Sequence, residues 1–190
     1  MLLQDEVVKI FQDSGALLSG HFRLTSGRHG EQYFQCALVL QQPHYTETLC
    51  RELAARFQGE GVSVVIGPAM GGIIVSYETA RALGVRSLFT ERENGVMKLR
   101  RGFSIEPGEK VLVVEDVVTT GGSVLEVIEV VRGLGGEVVG AGVLVDRSNG
   151  TVDLGVRTEA LLTMEVVSYE PGECPLCRQG IPAIKPGSRS

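Results

Sequence analysis

Apolar positions along the chain fall into two periods. Leu3, Val7, Ile10 and Phe11 recur at helical spacing and predict a short amphipathic helix at the start. Tyr45, Leu49, Leu53 and Phe57 recur every four residues, with Cys50 and Ala54 beside them, and predict a helix entered after Pro43 and ended near Gly59. Residues 21–40 mix β-formers with turn residues and predict a small irregular β element. From residue 62 an alternation takes over. It runs as a strand at 62–66, a helix at 73–83 stopped by Gly84, a strand at 86–90 and a polar loop. A strand at 110–114, a helix at 123–134 closed by Gly135 and Gly136, and a strand at 137–145 complete it. Unbroken apolar strands separated by helices predict an α/β fold, a parallel sheet flanked by helices on both faces. Ligands on such sheets bind at the carboxyl ends of the strands. The loops at 67–72, 91–103, 115–123 and 146–150 are therefore expected to converge on one site.

The length changes this picture only at its ends. With 190 residues, one domain over 1–170 is expected, its core at about 41–150, followed by a Pro/Gly-rich basic appendage at 171–190 that carries a C-x-x-C. Hydrophobic residues reach 43% but aromatics only 5%, so the core is aliphatic. There are 25 glycines, well above the average usage of about 7%, and they fall outside low-complexity runs, as turns and close backbone approaches require. The formal charge of −5 argues against a nucleic-acid coat, which needs a basic face. The longest uncharged stretch, residues 61–77, is broken by glycines and a proline and is not expected to span a membrane. Carboxylates stand near the N-terminus where a signal peptide has basic residues, and four cysteines are too few for a disulfide scaffold. A reducing cytoplasm is the expected location.

The chemistry concentrates in Val111-Leu-Val-Val-Glu115-Asp116-Val117-Val118-Thr119-Thr120-Gly121-Gly122-Ser123. A buried strand delivers two adjacent carboxylates to its end. Hydroxyls and glycines follow where the next helix begins. Glycines let backbone N–H groups close around a phosphate, and the helix N-terminus adds positive potential. The carboxylates would repel that phosphate, and suit sugar hydroxyls or a divalent cation instead. A ribose 5-phosphate gripped at both ends fits. The spacing matches neither G-x-x-x-x-G-K-[ST] nor G-x-G-x-x-G. An ordinary strand-end pair with a capped turn is the competing reading.

Residues 111–123 resemble the phosphoribosyl pyrophosphate (PRPP) motif of the type I phosphoribosyltransferases. Most of the remaining chain resembles the members of that family that act on orotate. Phe22-Arg-Leu-Thr-Ser-Gly-Arg28 with Tyr33-Phe34 looks like their N-terminal hood, mainly within 1–40, and Gly67-Pro-Ala-Met-Gly-Gly72 like their pyrophosphate loop. Residues 91–103 sit where the family has its mobile catalytic loop, and residues 145–150 where it has an arginine contacting orotate. The resemblance implies transfer of the ribose 5-phosphate of PRPP to orotate, giving orotidine 5′-phosphate and pyrophosphate in pyrimidine biosynthesis. It implies Mg²⁺ held mainly by PRPP oxygens and water rather than by direct protein ligands, and a homodimer sharing its sites across the interface. Glu115 and Asp116 would hold the ribose 2′- and 3′-hydroxyls, and Val117 to Ser123 the 5-phosphate. Met70 and Gly71 would lie along the pyrophosphate. Thr119, Arg147, Tyr33 and Phe34 would meet orotate. Arg92 and Lys98 would reach the reacting centre from the loop, Arg92 from the partner subunit.

Some positions depart from the family's pattern. Thr25 stands where a lysine is usual, Met70 and Gly71 where an aromatic and a lysine are frequent, and the loop has no histidine. Lys98 is its single lysine within 92–101, beside Arg92, Arg100 and Arg101. A purine phosphoribosyltransferase and a non-catalytic PRPP-sensing regulator are the rival readings. His21, His29 and His44 have no metal spacing with another His or Cys, so surface or capping roles are expected for them. Cys174 and Cys177 make half a zinc site, which Cys36 and Cys50 are not placed to complete. A reduced knuckle in the tail and a metal shared between subunits both remain open.

Overall fold

The computed structural model describes residues 2–24, 26–164 and 167–185; Thr25 and the last five residues of the tail lie outside the described residues. The chain begins with helix α1 (Gln4–Asp13), then the hairpin β1 (Leu17–Arg23) and β2 (His29–Phe34), then helices α2 (Cys36–Leu40) and α3 (Pro43–Ala55). Strand β3 (Val64–Pro68), helix α4 (Gly71–Leu83) and strands β4 (Arg86–Glu93) and β5 (Val96–Leu99) follow. The second half runs β6 (Lys110–Val118), α5 (Gly122–Gly133), β7 (Glu137–Asp146), β8 (Thr158–Thr163), β9 (Ser168–Tyr169) and the short α6 (Pro175–Arg178).

Six strands form one sheet in the order β5-β4-β3-β6-β7-β8, parallel except for the antiparallel β4–β5 pair. The strand order reverses between β3 and β6, which places the crevice for a ligand outside their carboxyl ends. Strand alternation divides the core into two layers. On β6, Leu112 and Val114 pack with Leu49, Leu53 and Val75 of α3 and α4, while Val111 and Val113 pack with Val124, Val127 and Ile128 of α5. All of these side chains are 1% exposed or less, so both faces of the sheet are dry.

The polar loop expected after residue 90 is a hairpin. Asn94 and Gly95 both have positive φ, 53° and 82°, the geometry of a two-residue turn that matches strand twist. Met97 is the anchor: it is buried against α5, while Val96 and Lys98 on either side of it are exposed. Met97 and Leu99 turn to the same core cluster, and the exposed Val96 beside them conceals the period of two in the sequence.

The second sheet has three strands, β1-β2-β9. The tail does not hang free of it. Ile184 N–H donates to the His21 carbonyl at 2.9 Å, and Arg23 N–H donates to the Ile184 carbonyl at 2.8 Å. The Arg28 guanidinium bonds the Ser168 carbonyl and the Glu170 carboxylate. The expectation for two of the histidines is overturned here: His21 and His29 are 4% and 7% exposed and face each other beneath Cys174 and Cys177. These partners stand more than a hundred residues away in sequence, so no local spacing could reveal them. Cys36 and Cys50 belong to the main core, where burial pushes the Cys50 thiol up to about 12.

Candidate active site

Strand β6 runs four residues beyond its purely apolar part, so Glu115 and Asp116 are strand residues and obey its alternation. Glu115 faces the α5 side and lines a cleft of about 180 Å³ with Val117, Thr119, Thr120, Gly122 and Ser123. Asp116 faces the α4 side. There it meets the turn after β3: a Cβ added at Gly71 would lie 2.5 Å from the Asp116 Cγ. Pairing of β3 with β6, Val64 to Val111 and Ile66 to Val113, is what brings residues 67–72 beside the two acids. Gly67 touches the β6 backbone in the same way, its added Cβ falling 2.8 Å from the Val114 carbonyl oxygen. Gly67 therefore excludes any side chain, and one at Gly71 would displace the Asp116 carboxylate. Met70, by contrast, is 82% exposed.

Gly121 starts α5 at φ 77°, and a Cβ there would lie 2.7 Å from Val152 and 2.8 Å from Leu154. Glycine is required twice over, for the left-handed conformation and for the close approach of the following loop. The first N–H groups of α5 have no acceptor within the helix and open on the cleft beside the exposed Thr119 and Thr120.

Arg147 follows β7, the strand that pairs beside β6. Its N–H donates to the Val118 carbonyl at 2.8 Å, tying the loop after β7 to the end of β6. Asp146 shapes that loop, accepting from the Ser148 N–H and hydroxyl and from the Gly150 N–H. The Arg147 Nε is buried with no hydrogen-bond partner among the described residues, and burial lowers the guanidinium's pKa against the opposing influence of Tyr33 and Cys36. Tyr33 is thus on the Arg147 side of β2. Its neighbour Phe34 points the other way, 3% exposed and edge-on to Phe11 at 5.4 Å, so the structure assigns Phe34 to the core and withdraws it from the pocket expected for it.

Burial holds both carboxyls above their ordinary range, and for Glu115 the neighbouring Asp116 charge adds to the effect. Among the described residues neither acid has a cationic partner. The pair is therefore under-compensated, as a site awaiting hydroxyl donors or a cation would be. Cys36, absent from the sequence-based site, senses Asp116, Glu115 and Arg147 electrostatically, though burial is the main cause of its raised pKa. Nothing in its sequence neighbourhood signals this, because α2 brings it there through tertiary packing.

The hairpin cations are engaged elsewhere. Arg92 pairs with Glu126 on α5 at 2.8 Å, Lys98 with Glu93 at 2.7 Å, and Arg101 with Glu91 at 2.7 Å. Among the described residues none of them bonds residues 115–123. Exposed pairs of this kind are worth about 0–1 kcal/mol, so they hold these side chains only weakly.

A model of the phosphoribosyl transferase domain matches residues 40–155. The chain is 79% identical to an orotate phosphoribosyltransferase of Pelotomaculum thermopropionicum, over 99% of both chains. It is 73% identical to that of Desulforamulus reducens, over 98% of this chain and 97% of the other. Among solved structures, the orotate phosphoribosyltransferase of Aeropyrum pernix superposes with a TM-score of 0.68 at 30% identity, covering 83% of this chain and 93% of that one. The match to relatives extends over nearly the whole chain, and this chain belongs to the orotate phosphoribosyltransferase family.

Proposed function

We propose that this protein transfers the ribose 5-phosphate of PRPP to a ring nitrogen of orotate, giving orotidine 5′-phosphate and pyrophosphate for pyrimidine synthesis. The observation that carries the reading is the buried Glu115–Asp116 dyad, without a cationic partner among the described residues, at the end of β6 where a cleft opens on the head of α5, with Arg147 tied to that same strand end through the Val118 carbonyl. A sugar phosphate needs the first, and an anionic planar base the second.

The roles follow from the chemistry of each group. Thr119 to Ser123, with the N–H groups at the start of α5, cradle the 5-phosphate. Glu115 and Asp116 accept hydrogen bonds from the ribose hydroxyls and stabilise positive charge that develops on the ring as the bond to pyrophosphate lengthens. The backbone at Met70 and Gly71 follows the pyrophosphate, the lack of a Cβ at Gly71 letting this turn pack against the Asp116 carboxylate. Arg147 forks onto the polar edge of orotate and Tyr33 covers the ring, with Thr119 near both substrates. The nitrogen attacks C1′ in its deprotonated form as the C1′–O bond breaks, so the protein need not supply a base. Binding, orientation and exclusion of water account for the catalysis.

Mg²⁺ suits this donor set, since two uncompensated carboxylates and hydroxyl-bearing residues are hard oxygen ligands. Glu115 and Asp116 would help hold it through water, most of its ligands coming from PRPP, and bound there it would neutralise charge on the departing pyrophosphate. Among the described residues no helix is long and apolar enough to cross a membrane. Arg92 and Lys98 act from a partner subunit in a homodimer, a reading supported by their engagement on their own hairpin and α5 rather than on their own cleft.

A turnover assay with PRPP and orotate, hypoxanthine or adenine, with and without Mg²⁺, tests the proposal. Orotidine 5′-phosphate formed only with Mg²⁺ is expected. Turnover of a purine in preference to orotate overturns it.

A further inference from the structure

We propose that His21, His29, Cys174 and Cys177 form a tetrahedral zinc site that fastens the C-terminal tail to the three-stranded sheet. The four ligand atoms lie within 4.8 Å of one another. The His21 Nε2 is 2.9 Å from the His29 Nδ1, 3.3 Å from the Cys174 Sγ and 3.8 Å from the Cys177 Sγ; the Cys177 Sγ is 3.2 Å from the His29 Nδ1. Zinc bonds to nitrogen and sulfur of about 2.0–2.3 Å set tetrahedral edges of roughly 3.3–3.8 Å, so the cluster is close to the size the ion needs.

Local structure aims all four groups inward. His21 and His29 are diagonal neighbours on one face of the β1–β2 hairpin, where Arg23 pairs with His29. A register shift between Ser19 and Phe22 turns the strand at His21. On the tail, α6 closes a tight knuckle: Arg178 N–H donates to the Cys174 carbonyl at 3.2 Å and Gly180 N–H to the Cys177 carbonyl at 2.9 Å, with Gly180 at φ 74°. The knuckle presents both sulfurs to the same side.

The residue after the knuckle fixes the His21 tautomer. The His21 Nδ1 lies 2.7 Å from the Ile181 carbonyl oxygen. A carbonyl can only accept, so Nδ1 carries the proton and Nε2 offers its lone pair to the cluster. This is the outer hydrogen bond that fixes the tautomer of a metal-bound histidine. Without an ion, one lone pair at Nε2 faces an imidazole and two thiols that compete to donate to it. One divalent cation satisfies all four groups together, and two thiolates neutralise it. Sulfur with imidazole in a compact tetrahedron selects zinc over magnesium or calcium.

The site shares no residue with the cleft at β6, and its consequence is structural. It joins residues 174–177 to the hairpin that carries Tyr33, across a sheet of only three strands. Small elements of this kind gain folding free energy directly from a bound metal.

The test uses the full chain, untagged and reduced. Elemental analysis should find about one zinc per chain, and Co²⁺ added to the metal-free protein should produce the visible absorption of a tetrahedral cobalt–thiolate centre. Cys174→Ser with Cys177→Ser should lower bound zinc to below about a tenth per chain, whereas His44→Asn, at an exposed histidine, should keep it. Chelation should lower the Tm of the wild type but not that of the double variant. The Co²⁺ titration needs no variant, so it decides the matter even where a substitution prevents folding. Wild-type protein that takes up neither Zn²⁺ nor Co²⁺, or that holds a Cys174–Cys177 disulfide instead, overturns the proposal.

Discussion

The loop at 115–123 and the cluster of His21, His29, Cys174 and Cys177 each bring several polar groups to one point, by opposite routes. The first draws every group from one strand, one turn and the start of one helix. The second draws on two strands of a hairpin and a knuckle more than 140 residues further along. In the loop, local geometry and chemistry coincide: alternation along β6 splits the two acids, and Gly121 sets the helix start. In the cluster, local geometry supplies only half-sites, two histidines on one face and two cysteines in one knuckle. The difference teaches that a site built within one βα unit survives as a pattern in the chain, while one built between elements does not.

The largest effect expected from breaking this contrast lies in the hood. Phe34 is a core residue joined to Phe11, so Phe34→Ala should cost about 3–5 kcal/mol of stability by denaturant unfolding. The substitution should leave the KM for PRPP little changed. Tyr33→Ala, one residue away on the other face, should spare stability and raise the KM for orotate. Equal effects of the two on either property would mean that strand alternation does not separate pocket from core at β2.

Arg147 gives the next largest. Charge-assisted hydrogen bonds contribute about 1.5–3 kcal/mol, so Arg147→Ala should raise the KM for orotate roughly 10-fold or more, with that for PRPP nearly constant. Steady-state kinetics with each substrate varied in turn checks this. A parallel rise in both would assign Arg147 to the phosphates and merge the two halves of the cleft.

Asp116→Asn follows, with two readouts. Loss of the charge should lower kcat/KM at least about 10-fold, or 1.4 kcal/mol. Stability should move the other way. In the unfolded chain the aspartate loses its proton in the ordinary carboxylate range, and in the folded protein only at higher pH, because burial raises it. Between those values the unfolded state binds fewer protons, so the wild type loses stability as pH rises through the window. The asparagine variant lacks that loss, and its Tm should match or exceed the wild-type value at neutral pH while falling less steeply as pH rises above the ordinary carboxylate range. A lower Tm at neutral pH would show that the charge supports the fold rather than burdening it.

The smallest effect tests the hairpin. One subunit carries Arg92→Ala and Lys98→Ala, its partner Asp116→Asn. Each homodimer should be nearly inactive. Mixing them should restore up to about half of wild-type activity per heterodimer, since one of its two sites receives an intact loop and an intact dyad. Demonstrated subunit exchange without recovery would place the loop's action within its own subunit.

By itself the sequence determined the alternation of strands and helices in the second half of the chain, because unbroken runs such as residues 111–114 and helical repeats such as Val124, Val127, Ile128 and Val131 are local signals of burial. It also determined the strand-end acids and the glycine-led helix, whose chemistry and spacing lie within nine residues. Only the tertiary structure decided the rest. Pairing of β3 with β6 put Gly71 against Asp116, and pleating sent Tyr33 toward Arg147 and Phe34 into the core. Met97 turned a charged loop into a hairpin docked on α5, and the return of the tail over β1 and β2 gathered two histidines and two cysteines. Contacts between residues far apart in the chain depend on which surfaces must be buried together, and that is a property of the whole packed molecule rather than of any segment.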